Sequence, residues 1–201
     1  MELMSPGPIC TDRINCFAVV SYIPEPLAGF LDELRQELVP NCFLRAHITI
    51  LPPRPSTATP EADWRHLSGI AQRFRPFEME LKAVEVFPIS DVIYVSVGQG
   101  AEWLRSMHEA MDFGGLCYKE RYAYHPHVTL AQDLKPDEFD ELIQVARRRW
   151  TESKVPRTFR VEKITFVQSS SRKTWIDLNE CPLLPESQPQ DQEEDQRVVH
   201  T

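Results

Sequence analysis

Several features are missing from this chain of 201 residues, and each absence closes a class of function. No apolar run approaches the length of a membrane-spanning helix. The first 17 residues, interrupted by Glu2 and Asp12, lack the continuous apolar centre of a secretory leader. Neither G-x-x-x-x-G-K-[ST] nor G-x-G-x-x-G occurs, so Gly98 and Gly100 mark the entry to a helix rather than a phosphate cradle. The five cysteines (Cys10, Cys16, Cys42, Cys117, Cys181) are scattered without a C-x-x-C pair. That pattern points to reduced thiols in a cytoplasmic setting, not to a disulfide framework or thiol catalysis. A basic excess is missing too. Of the net charge of −8, residues 180–201 carry −5 (six acids against Arg197), which leaves −3 for the body. Such a body does not coat nucleic acid broadly, but it can still grip one terminal phosphate.

What is present is a pair. Arg45-Ala46-His47-Ile48-Thr49-Ile50-Leu51 and Tyr124-His125-Pro126-His127-Val128-Thr129-Leu130 both read His-apolar-Thr-apolar inside β-favouring runs. Alternate side chains of a strand share a face, so His47 and Thr49 look one way while Ile48 and Ile50 look the other. His127 and Thr129 stand against Val128 and Leu130 in the same way. One such strand arises by chance in many proteins; two in matching surroundings do not.

The surroundings do match. Apolar strands are expected at residues 17–23 and 92–97, and amphipathic helices at 27–38 and 101–113, ahead of the two motifs. Helices at 60–74 and 136–150, then alternating strands at 77–86 and 159–167, follow them. The order β-α-β(His-x-Thr)-α-β therefore occurs twice, over about 14–87 and 91–168. The expected fold is α/β (α+β): two pseudo-symmetric lobes, each an antiparallel-rich sheet with outer helices, facing across a central cleft. One domain spans residues 14–178, after a loose lead-in at 1–13. Residues 179–201 are too rich in Glu, Gln, Pro and Asp to offset their ordering entropy and read as a disordered tail. A monomer is expected.

Local chemistry sharpens this outline. In the helix at 27–38, Leu27, Phe30, Leu31, Leu34 and Leu38 form the apolar stripe, with Asp32, Glu33, Arg35 and Glu37 outward. Thr59-Pro60-Glu61 reads as N-cap, first-turn proline and acidic first turn. Pro52-Pro53-Arg54-Pro55 reads as a stiff loop after the first motif.

With the two motifs in place, the chain resembles the two-histidine phosphoesterase superfamily, and within it the bacterial 2'-5' RNA ligase and cyclic-phosphodiesterase-like branch. The resemblance rests on His47-Ile48-Thr49-Ile50 and His127-Val128-Thr129-Leu130 and extends over about 14–178. It includes a closing strand, serine-bearing loop and strand at 164–167, 168–174 and 175–178. It implies an enzyme that opens the 2',3'-cyclic phosphates of RNA ends or nucleotides with no metal or cofactor, and that forms 2'-5' linkages when a 5'-hydroxyl replaces water as the nucleophile. His47, Thr49, His127 and Thr129 are the catalytic candidates. The resemblance implies that His127 activates the nucleophile and His47 protonates the leaving oxygen, although the residues alone do not distinguish the two.

Other residues have plainer readings beside the functional ones. Tyr124 could stack on a base at the cleft mouth or simply cover a core edge, and Tyr122 stands in the same position. Arg54, Arg172 and Lys173 are candidate phosphate contacts, though loop cations are more often just solvated. His125 and His127 form a His-x-His pair, the basis of an alternative metal-dependent hydrolase. However, no third ligand sits at useful spacing and Pro126 distorts the strand. A binding module that holds RNA ends or nucleotides with little turnover is the other alternative.

Overall fold

The computed structural model describes residues 12–40, 42, 44–171 and 174–184. In chain order the elements are β1 (Arg13–Tyr22), α1 (Leu27–Leu38), β2 (His47–Arg54), α2 (Pro60–Ala71), β3 (Phe77–Phe87) and β4 (Val92–Val97). Then come α3 (Ala101–Met111), a 3-10 turn (Gly114–Leu116), β5 (His127–Ala131), α4 (Phe139–Glu152), β6 (Thr158–Val161), β7 (Lys163–Ser170) and β8 (Trp175–Pro182). Among the described residues no helix is long and apolar enough to cross a membrane.

The helices follow their apolar spacing. Leu27, Leu31, Leu34 and Leu38 of α1 are all buried, one turn apart along a single stripe. The Thr59 hydroxyl accepts the Ala62 N–H ahead of Pro60, so α2 starts at its N-cap. Gly100 opens α3 at φ +88°, where a Cβ would meet the Met79 sulfur at 2.5 Å and the Glu78 carbonyl oxygen at 2.7 Å. Only glycine suits that position.

Among the described residues, eight strands form two antiparallel sheets, ordered β2-β1-β7-β8 and β5-β4-β3-β6. The repeat seen in the sequence is not the unit of the fold. One strand of each half crosses over, with β3 pairing β4 of the second half and β7 pairing β1 of the first. The helices exchange in the same sense, since α1 packs on β5 and α3 packs on β2. Each lobe is thus completed by the other half of the chain, and one continuous core runs through both.

Three expectations need correction. The alternating run at 159–167 is two strands: β6 ends at Val161, and Lys163 begins β7 in the other sheet. Pro52, Pro53 and Arg54 lie inside β2 and not in a loop. Prolines are tolerated there because β2 is a sheet edge and its pairing with β1 is irregular between Phe17 and Val20. The chain also stays in the fold past residue 178. β8 runs to Pro182, Leu183 is buried, and the Leu183 and Leu184 N–H groups donate to the Glu162 and Phe74 carbonyls. The rest of the expected tail, and most of the lead-in, fall outside the described residues.

Candidate active site

Both motif strands are sheet edges, and β2 and β5 touch where the lobes meet. Their alternation is complete: Ile48, Ile50, Val128 and Leu130 are buried, while His47, Thr49, His127 and Thr129 are half-buried. Antiparallel pairing puts Tyr22 beside His47 and Val20 beside Thr49 in one sheet. In the other, Ser96 stands beside His127 and Tyr94 beside Thr129. All four motif side chains line one cavity of about 720 Å³.

The two histidines are held alike. His47 Nδ1 lies 2.7 Å from the Arg45 carbonyl oxygen, and His127 Nδ1 lies 2.6 Å from the His125 carbonyl oxygen. A carbonyl can only accept, so each Nδ1 carries the proton and each neutral ring keeps its free lone pair on Nε2. That nitrogen accepts a proton when the ring is neutral and donates one when it is charged. Burial pushes the His47 pKa down to about 4; the Arg45 carbonyl opposes this, and the charges of Arg35, His127 and Arg45 add to it. Burial also lowers His127, with His125 adding to the shift against the pull of its own carbonyl.

Tyr124 does not lie open as a stacking platform for a base. Its hydroxyl donates to the Thr49 carbonyl at 2.7 Å, and its ring stacks on His108 at 4.1 Å with a 6° tilt. His108 Nδ1 in turn sits 3.0 Å from the Ile50 carbonyl oxygen. The segment that leads into β5 is therefore tied to β2.

Arg54 corrects the expectation of a phosphate contact. It is 1% exposed, its Nη1 is 2.7 Å from Asp112, and its Nη2 pairs with Glu120. Its Nε donates to the Pro52 carbonyl. A guanidinium committed to two carboxylates stiffens the cleft wall and has no charge left for a substrate. Arg172 and Lys173 lie outside the described residues.

Exposed His125 meets Phe87 and Tyr94 edge-on at 5.4 and 5.7 Å. Among the described residues no three His, Cys, Asp or Glu side chains gather in a set that could hold a metal ion. Sequence reasoning missed three features. Buried Arg35 lines the cavity, His108 supports Tyr124, and Asp177 accepts the Tyr22 hydroxyl at 2.6 Å while pairing with Arg45. Arg35 follows Leu34 at the border of the α1 stripe. Its position gave a signal that its charge concealed.

Comparison with known proteins decides the lineage. The family model described as "2'-5' RNA ligase superfamily" matches residues 23–173, most of the chain and both motifs. The protein belongs to that superfamily, the two-histidine phosphoesterases. A presumptive phosphoesterase of Bacillus licheniformis is 30% identical over 142 residues, covering 66% of this chain and 80% of its own. A counterpart from Oceanobacillus iheyensis is 31% identical over 78 residues, covering 38% of this chain and 45% of its own. The crystal structure of Escherichia coli LigT complexed with 3'-AMP matches with a TM-score of 0.57 at 16% identity. That match covers 84% of this chain and 98% of LigT, and at such identity it speaks for the fold.

Proposed function

We propose that this two-histidine phosphoesterase opens the 2',3'-cyclic phosphates of RNA ends or nucleotides, with 2'-5' ligation as the same ring opening by a 5'-hydroxyl in place of water. The observation that carries the reading is the matched Nδ1–H···O=C bond of His47 and His127 beside a single cavity. Two imidazoles with the same tautomer and free Nε2 atoms can serve as acid and base toward one phosphate. The 3'-AMP complex of LigT supports a nucleotide-sized ligand in this fold.

In hydrolysis, water attacks phosphorus in line while one neutral imidazole accepts its proton. The P–O bond to one ribose oxygen breaks, and that oxygen takes a proton from the other, charged imidazole. Loss of the 3' oxygen leaves a 2'-phosphate. The Thr49 and Thr129 hydroxyls donate to the non-bridging oxygens and hold the phosphate between the rings. Strain in the five-membered ring drives the opening, so the cycle needs no ATP.

The test is incubation with the four nucleoside 2',3'-cyclic monophosphates and with 2'-5'-linked dinucleotides, followed by chromatographic separation of the 2'- and 3'-phosphates. Turnover to one phosphate isomer supports the reading. Tight binding without turnover supports the binding-module alternative and rejects catalysis.

A further inference from the structure

The two motif strands match in their histidines but not in what stands behind them. Arg35 on α1 is 4% exposed. Its Nη1 donates to the Leu44 carbonyl at 3.0 Å and to the Arg45 carbonyl at 3.3 Å, and its Nη2 meets the Cys42 sulfur at 3.4 Å. Its Nε is buried without a hydrogen-bond partner. Among the described residues no carboxylate forms an ion pair with it. Asp32, three residues back on the same helix, feels its charge, and its Oδ1 is buried without a hydrogen-bond partner.

The Arg45 carbonyl is the same oxygen that receives His47 Nδ1–H. One acceptor therefore serves an imidazole and a buried guanidinium. The matching oxygen of the second strand, on His125, receives His127 Nδ1, and no other side chain among the described residues donates to it. A guanidinium on the shared oxygen draws on the lone pairs that would otherwise stabilise an imidazolium. Its positive charge also sits behind the ring, where it repels a second proton.

The other groups facing His47 do not cancel this. From β1, Tyr22 stands edge-on at 6.4 Å and donates its hydroxyl to Asp177. From β8, Asp177 is paired with Arg45, whose guanidinium lies 3.6 Å over the Tyr22 ring. From β5, His127 contributes positive charge when protonated. Asp32 is the acid on α1, and burial raises its pKa, which favours its neutral form.

We propose that Arg35 is a positioning residue that keeps His47 neutral with its proton on Nδ1, making His47 the proton acceptor and His127 the donor. This rests on the two-histidine reading above and reverses the roles that the family resemblance implies. Water's oxygen bonds to phosphorus as its proton passes to His47 Nε2; the P–O bond to the leaving ribose oxygen breaks as His127 Nε2 gives up its proton. Exchange with solvent then resets both rings. Burial lowers both histidines, and Arg35 is the foremost of the charges that push His47 further down.

The test follows the imidazole signals of the ligand-free protein by NMR across pH. His47 is expected to take up its proton at lower pH than His127. In Arg35→Met the His47 midpoint should rise by roughly one unit while His127 stays in place, and Arg35→Lys, which keeps the charge, should move it less. The reverse order in the wild-type protein overturns the proposal, as does a Met variant that moves neither histidine or both equally. If the Met variant does not fold, the wild-type order and the Lys variant decide. On a cyclic substrate with sulfur at the leaving position, which needs little protonation, His127→Ala should regain most of its rate and His47→Ala should not. The opposite rescue overturns the proposal. The titrations need no turnover, so a protein that hydrolyses no cyclic phosphate would fail the functional reading separately.

Discussion

The Tyr124 hydroxyl donates to the Thr49 carbonyl across 2.7 Å, so the residue that leads into one motif strand is bonded to the middle of the other. β2 and β5 belong to different sheets, and no backbone ladder joins them. This bond and the His108 ring beneath Tyr124 fix the spacing of the two strands instead. Tyr124→Phe keeps the stack and loses the bond. It is expected to cost about 1 kcal/mol in urea unfolding and to lower kcat/KM by roughly tenfold through loosened geometry. An unchanged kcat/KM would show that strand spacing does not depend on this contact.

Arg54 predicts a stability effect without a substrate effect. Arg54→Met leaves Asp112 and Glu120 without their cation in the cleft wall. The expected loss is about 3–5 kcal/mol, read as a lower midpoint in urea. The KM of protein that remains folded should keep its wild-type dependence on salt. A flatter salt dependence would mean that the guanidinium reaches the substrate after all.

His47 links stability to pH. Its folded pKa of about 4 lies below the ordinary 6.5. Between these values the unfolded chain binds more protons than the folded one, so stability falls as pH falls. The contribution is complete above about pH 6.5 and gone below about 4, at a slope of at most about 1.4 kcal/mol per unit. His127, also lowered, acts in the same direction. Urea unfolding at pH 7 and pH 5 should show this loss in the wild-type protein and a smaller one in His47→Gln. Equal losses would place the pH sensitivity elsewhere.

The threonine hydroxyls are expected to act on turnover alone. Thr49→Val and Thr129→Val keep the β-branched shape on half-buried strand positions. Each should lower kcat by about tenfold to a hundredfold, the range for losing one donor to a developing phosphate charge. Thermal midpoints should stay near wild type. A fall in stability without a fall in kcat would make them ordinary strand residues.

Much of this was legible because period and pairing are local. The α1 stripe from Leu27 to Leu38 and the alternation of both motif strands follow from side-chain direction alone. The exchange of β3 and β7 was not legible, since nothing in Phe77-Glu78-Met79 says which sheet will accept it. The break at Glu162 was hidden for a related reason: Phe159, Val161 and Val167 fit one alternating run as well as two strands. Arg35 and Arg54 were misread because charge ordinarily marks a solvated face. Here carbonyls accept from one and carboxylates pair with the other, inside the wall of the site.

The most direct test of the central claim is kcat/KM for a nucleoside 2',3'-cyclic phosphate, measured from pH 4 to 9 on the wild-type protein, His47→Ala and His127→Ala. The wild-type profile should be bell-shaped with its maximum below neutrality, because both free-enzyme histidines titrate below their usual value. Each substitution should lower the maximum by about 10²–10⁴-fold and remove one limb. A flat profile, or either variant within tenfold of wild type, would contradict two-histidine acid–base catalysis.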